Sequence, residues 1–100
     1  MMFSNILCAG VVTGQVDYVL VRASDGLIYV GLRNATVLSP APTCATISYW
    51  MIKDENSNAG KQQLATLLAA QVAGKTITIW GSNTCARWRD GEDIDAVRIQ

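Results

Sequence analysis

The densest run of chemistry-bearing side chains in the sequence is Arg87-Trp88-Arg89-Asp90-Gly91-Glu92-Asp93. A tryptophan with charged hydrogen-bonding groups on both sides can stack on the apolar face of a sugar, or on a base, while those groups hold the polar edge. The plainer reading is a hairpin loop in which Trp88 folds onto the core and the charges are solvated. Arg87, Trp88 and Asp90 are therefore candidate ligand-binding residues. Tyr49 and Trp50 join them, because neighbouring residues of a strand point to opposite faces and one of the two rings must look outward. That outward ring can serve a ligand or pack on a neighbouring subunit.

The carboxylates Asp90, Glu92, Asp93 and Asp95 supply, on paper, the acid and base of a glycosidase. They crowd one turn and the start of one strand, where solvated charge is the expected state. The chain has no histidine, which removes the usual general base at neutral pH and the commonest metal ligand. Ser-His-Asp and Cys-His mechanisms are thereby excluded. Cys8, Cys44 and Cys85 lie far apart without Cys-x-x-Cys spacing, so neither a metal site nor a cofactor is expected. Gly81-Ser82-Asn83-Thr84 lacks the lysine of a phosphate-cradling loop. Cys8 has no imidazole to activate it and reads as a buried or N-terminal thiol. The expectation is a protein that binds rather than one that catalyses.

Composition narrows what is bound. Eight basic and eight acidic residues give zero net charge, without runs of either sign, so nucleic acid is an improbable ligand on electrostatic grounds. Arg22, Arg33, Arg87, Arg89 and Arg98 are available to a single strand, but acids offset them. No apolar stretch reaches the length of a spanning helix, so no membrane insertion is expected. Residues 1–10 lack the basic start and full apolar core of an export signal, so a secreted or periplasmic location is expected only if such a signal has been removed.

The elements that must position these residues are mostly strands. Half of the residues are apolar, enough for one domain over residues 1–100. The one helical segment is 56–74, where Leu64, Leu67, Leu68 and Val72 recur at three- and four-residue steps and predict a single buried stripe. Asn56, Ser57 or Asn58 can cap its start, and Gly74 suits the left-handed residue at its end. Strands are expected at 11–21, with a bend at Gly14, and at 27–32 after the turn Ser24-Asp25-Gly26. Residues 33–43, with Pro40 and Pro42, read as a loop. Alternation of period two predicts a third strand over 44–52, and further strands follow at 76–80 and 93–100.

The order β-β-β-α-β-β fits a flat five-stranded sheet carrying one helix. It also fits the five-stranded Greek-key barrel called the OB-fold, in which a helix plugs the barrel between strands three and four. The barrel is preferred because a strand that serves both halves of a barrel must bend, and Gly14 lies midway along the first. A ferredoxin-like fold would need a second helix. Cys44 and Cys85 bracket the helix and its flanking strands; spacing alone leaves open whether they bridge or stay as two buried thiols.

Cys44-Ala45-Thr46 leading to Trp50, then Ala59-Gly60-Lys61, Leu64 and Leu67-Leu68, then Gly74-Lys75, and finally Gly81-Ser82-Asn83-Thr84-Cys85 with Trp88 form an ordered pattern. It resembles the B subunits of subtilase-cytotoxin-type and pertussis-like AB5 toxins, and Gly10-Val11-Val12-Thr13 and the Asp25-Gly26 turn extend the likeness over most of the chain. The resemblance implies an OB-fold, an intrachain disulfide, a homo-oligomeric ring of five and binding of cell-surface glycans. No known sugar-contacting motif maps onto particular positions. The expectation is a non-enzymatic, self-associating, carbohydrate-binding module; the alternatives are an OB-fold protein for single-stranded nucleic acid or a protein partner, and a purely structural assembly protein.

Overall fold

The computed structural model describes residues 9–100; Cys8 and nearly all of the expected signal-free start fall outside them. The elements follow one another as β1 (Val11–Val21), β2 (Ile28–Ser39), β3 (Trp50–Met51), α1 (Asn58–Ala73), β4 (Thr76–Gly81) and β5 (Glu92–Ile99). The five strands form a closed barrel in the order β1-β2-β3-β5-β4. All pairings are antiparallel except β3 with β5, where Trp50 faces Glu92 and Met51 faces Asp93.

Closure depends on β1, which pairs with β2 on one edge and, through Val11 to Gln15, with β4 on the other. The β1–β2 register slips between Thr13 and Gln15, on either side of Gly14. A Cβ at Gly14 would sit 3.0 Å from the Arg33 carbonyl and 3.2 Å from the Ala35 Cα. The missing side chain thus lets β2 cross closely where β1 bends.

Two strands differ from their sequence expectation. β2 does not stop at Leu32 but runs on to Ser39, because Asn34 takes a φ of 53° and absorbs the irregularity without ending the ladder. Only Trp50 and Met51 of the alternating stretch 44–52 are strand. The residues before them close in local turns, with the Ala45 amide donating to Pro42 O and the Thr46 amide to Cys44 O.

The barrel interior holds Val12, Val16, Ile28, Val30, Trp50, Ile52, Ile77, Ile79 and Ile94, and the helix contributes Leu67 and Ala70. Ser57 caps α1 by accepting from the Gly60 amide at 2.9 Å, and Gly74 ends it at φ 65°. The buried line is Gly60, Leu67 and Ala70, with Leu64 packed beside it. The expected stripe is therefore rotated: Leu68 is 42% exposed and Val72 90%. Two glutamines set this roll by reaching opposite strands, Gln63 Nε2 donating to Asp95 O at 2.9 Å and Gln71 Nε2 to Asp17 O at 3.3 Å. Small Ala70 lies between those anchors, and Gly60, ahead of them, has no room for a side chain beside the Asp54 carbonyl. No helix among the described residues is long and apolar enough to cross a membrane.

Candidate functional site around Trp88

Outside the barrel, the loops 22–27 and 82–91 and the turn before α1 meet on the face made by β2 and β3. Asp93 shapes the larger loop. Its carboxylate is wholly buried and accepts from Thr84 Oγ1 at 2.6 Å, the Ala86 amide at 2.8 Å and the Arg87 amide at 3.1 Å. Cys44 and Cys85 form a disulfide with Cα atoms 6.2 Å apart, and the Ile47 amide donates to Asp90 O at 3.1 Å. The segment before β3 is thereby tied to the loop that carries Trp88.

Two of the arginines around Trp88 are paired with carboxylates. Arg87 donates to both carboxylate oxygens of Glu55, at 3.0 and 3.1 Å, and to the Asp25 carbonyl at 3.2 Å. Arg22 donates to both oxygens of Asp25, at 3.0 and 2.7 Å, and Asp25 also accepts from the Leu27 amide. Forked guanidinium–carboxylate pairs fix direction as well as distance. The Arg87 hydrogen bond lowers the pKa of Glu55, and Arg22 holds the Asp25 carboxyl well below the usual range. The Arg22–Asp25 pair is open to solvent, so its shift reports geometry more than stability, whereas Arg87 and Glu55 are part-buried.

Two cations lie near the indole. The Arg22 guanidinium stands 5.0 Å and that of Arg89 5.4 Å from the Trp88 ring centroid. Beside it, the Tyr49 hydroxyl donates to Asp90, and this bond, aided by burial, pushes the Tyr49 pKa up to about 12. Tyr49 packs on Tyr29 with centroids 4.8 Å apart, and Tyr29 meets Tyr18 edge-on at 6.0 Å. Met51, on the outward side of β3, is fully buried in this outer layer, where Gly91 passes against both Met51 and Tyr49.

Arg87, Trp88, Asp90 and Tyr49 are thus brought into one cluster. Trp50 is not: it points inward, is 7% exposed and belongs to the core, which corrects its place among the ligand-binding candidates. Period two is the reason, since Tyr49 takes the outward side. Glu92 and Asp93 are not solvated either. Glu92 accepts from the Gly10 amide at 3.1 Å and the Asn83 amide at 3.0 Å, and burial raises its pKa. Both carboxylates are committed to backbone amides, and Asp95 is exposed on β5. Sequence reasoning missed Arg22, Asp25, Glu55, Tyr18 and Tyr29 as neighbours of this site. The i,i+3 spacing of Arg22 and Asp25 across the turn was the one available signal.

Comparison with protein-family models, curated proteins and solved structures finds no match. A concavity of about 350 Å³ opens beside the Trp88 cluster, between Val11, Leu32, Val37, Ile47, Tyr49 and Trp50. Its walls are largely apolar. Its ionisable side chains are already bonded, Glu92 to backbone amides and Tyr49 to Asp90.

Proposed function

We propose that the chain is an OB-fold carbohydrate-binding module without catalytic activity, and that the Trp88 cluster is its ligand site. The OB-fold reading is supported by the strand order, the parallel β3–β5 pair and the helix between β3 and β4. In that fold the face of strands two and three, with the loops joining strands one to two and four to five, takes oligonucleotides and oligosaccharides. The observation that carries the functional reading is the half-buried Trp88 ring, with the Arg22 and Arg89 guanidiniums near it, where those two loops meet. A fixed indole beside hydrogen-bonding groups suits a sugar, whose apolar face stacks while its hydroxyls are bonded.

Single-stranded nucleic acid is the weaker reading, because Arg22 and Arg87 already have carboxylate partners and offer phosphates little free charge. The test is a glycan array run beside an oligonucleotide titration over a range of salt. Glycan binding that Trp88→Ala reduces at least tenfold, about 1.4 kcal/mol, is the expected result. A blank array with steeply salt-dependent oligonucleotide binding would reverse the assignment.

Self-association is part of the proposal, in line with the resemblance to ring-forming toxin B subunits. It is supported by Val37 and Leu38, 67% and 61% exposed on the part of β2 beyond its pairing with β3, and by Ile47 nearby. Light scattering reads the stoichiometry directly, and a monomer would remove the toxin-like assembly. The disulfide is compatible with an oxidising, exported environment.

A further inference from the structure

The apolar cleft beside the Trp88 cluster carries a charge that its walls do not match. Glu92 lines it, and its carboxylate, 1% exposed, has two donors, the Gly10 amide at 3.1 and 3.2 Å and the Asn83 amide at 3.0 Å. An ionised carboxylate can accept about four hydrogen bonds, and Oε1 has only the Gly10 amide, which it shares with Oε2. Neither ion pair among the described residues, Arg22–Asp25 nor Arg87–Glu55, includes it. Burial pushes its pKa up, the two amide bonds oppose this, and the neighbouring Asp93 carboxylate, itself wholly buried, adds to the rise. Buried charge of one sign is ordinarily matched by a counter-charge.

The carboxylate is also fixed in place. A Cβ on Gly81 would overlap Oε2, and one on Gly10 would stand 2.5 Å from Oε1 and 3.1 Å from the Trp50 ring. Oε1 and the indole thus converge on Gly10, on the wall of the cleft. Its volume of about 350 Å³ lies at the small end of the roughly 300–1,000 Å³ range of small-molecule sites. The apolar walls offer a metal ion few oxygen ligands, and no group of three or more acidic or thiol side chains that could hold one stands among the described residues. An organic cation suits both the walls and the charge. We infer that the cleft is a second binding site, for a small organic ammonium whose apolar body lies between Leu32, Val37, Ile47 and Trp50 and whose cation pairs with Glu92. Binding there does not depend on the Trp88 cluster being a carbohydrate site.

The experiment titrates the intact protein at neutral pH with phenethylamine, a cation, and with its neutral and anionic counterparts phenethyl alcohol and hydrocinnamate, followed by heteronuclear NMR. The amine is expected to bind at least tenfold more tightly than the alcohol, equivalent to about 1.4 kcal/mol or more, and the acid most weakly. Shift changes should centre on Gly10, Ile47 and the Trp50 indole. Glu92→Gln, which keeps the shape and removes the charge, is expected to erase the preference for the amine. Val37→Lys sets a cation at the exposed rim without touching a buried group, and should weaken the amine but not the alcohol; it decides the matter if the Glu92 variant fails to fold. Val72→Ser, on the exposed helix face, should change neither affinity. Equal affinity for amine and alcohol, shift changes centred on Trp88, a preference that survives both charge substitutions, or no binding of the amine would each overturn the site.

Discussion

At the scale of single residues, Tyr49 has the most readable chemistry. Its hydroxyl bonds to Asp90, and its pKa is pushed up to about 12 from an ordinary 10.0. A folded-state pKa above the unfolded value means that the protonated phenol favours the native state. This contribution is fully present below pH 10 and is lost as pH rises toward 12. Ultraviolet titration of phenolate should therefore show a late step that Tyr49→Phe removes; a step unchanged in that variant would disprove the Asp90 bond. Glu92 and Asp93 teach the opposite lesson. Adjacent acids near a turn ordinarily sit in water, and nothing in their spacing reveals that each accepts backbone amides inside the protein.

At the scale of elements, α1 separates what a sequence can express from what it cannot. Its ends were legible, since Ser57 and Gly74 act through their own backbone and side chain. Its buried face was not, because Leu64, Leu67, Leu68 and Val72 offer nearly equivalent stripes and the choice falls to Gln63, Gln71, Gly60 and Ala70. Leu67→Ala should cost about 2 to 5 kcal/mol in denaturant unfolding, whereas Val72→Ser should stay within about 0.5 kcal/mol. Reversed magnitudes would return the helix to the stripe read from spacing alone. β1 with its Gly14 bend was also legible, because a glycine in a β-rich run marks a bulge or close crossing. β2 and β3 were misjudged in opposite directions. Asn34 carried a ladder through a polar stretch, and a well-alternating stretch after Cys44 was diverted into turns beside its disulfide. For the site, Trp88, Arg87, Asp90 and Tyr49 were visible as types and spacing; Arg22, Glu55 and the outer tyrosines were brought in by turns and strands distant from them in sequence.

At the scale of the whole molecule, the Cys44–Cys85 bond spans 41 positions and holds the turn before β3 to the loop before β5. Closing a loop of that size corresponds to about 4 kcal/mol in the chain-entropy view, a large share of the stability of a domain this small. Reduction, or replacement of both cysteines by serine, should lower the calorimetric midpoint by roughly 15 °C or more. An unchanged midpoint would mean that the barrel alone holds the two segments together.

The parallel pairing of β3 with β5 has a temporal meaning. Residues 22–29 and 49–55 are made early, yet Trp88, Arg89 and the Asp93 that shapes their loop arrive with the closing strand. The cluster around Trp88, and with it the proposed binding surface, is therefore completed only when β5 slots between β3 and β4.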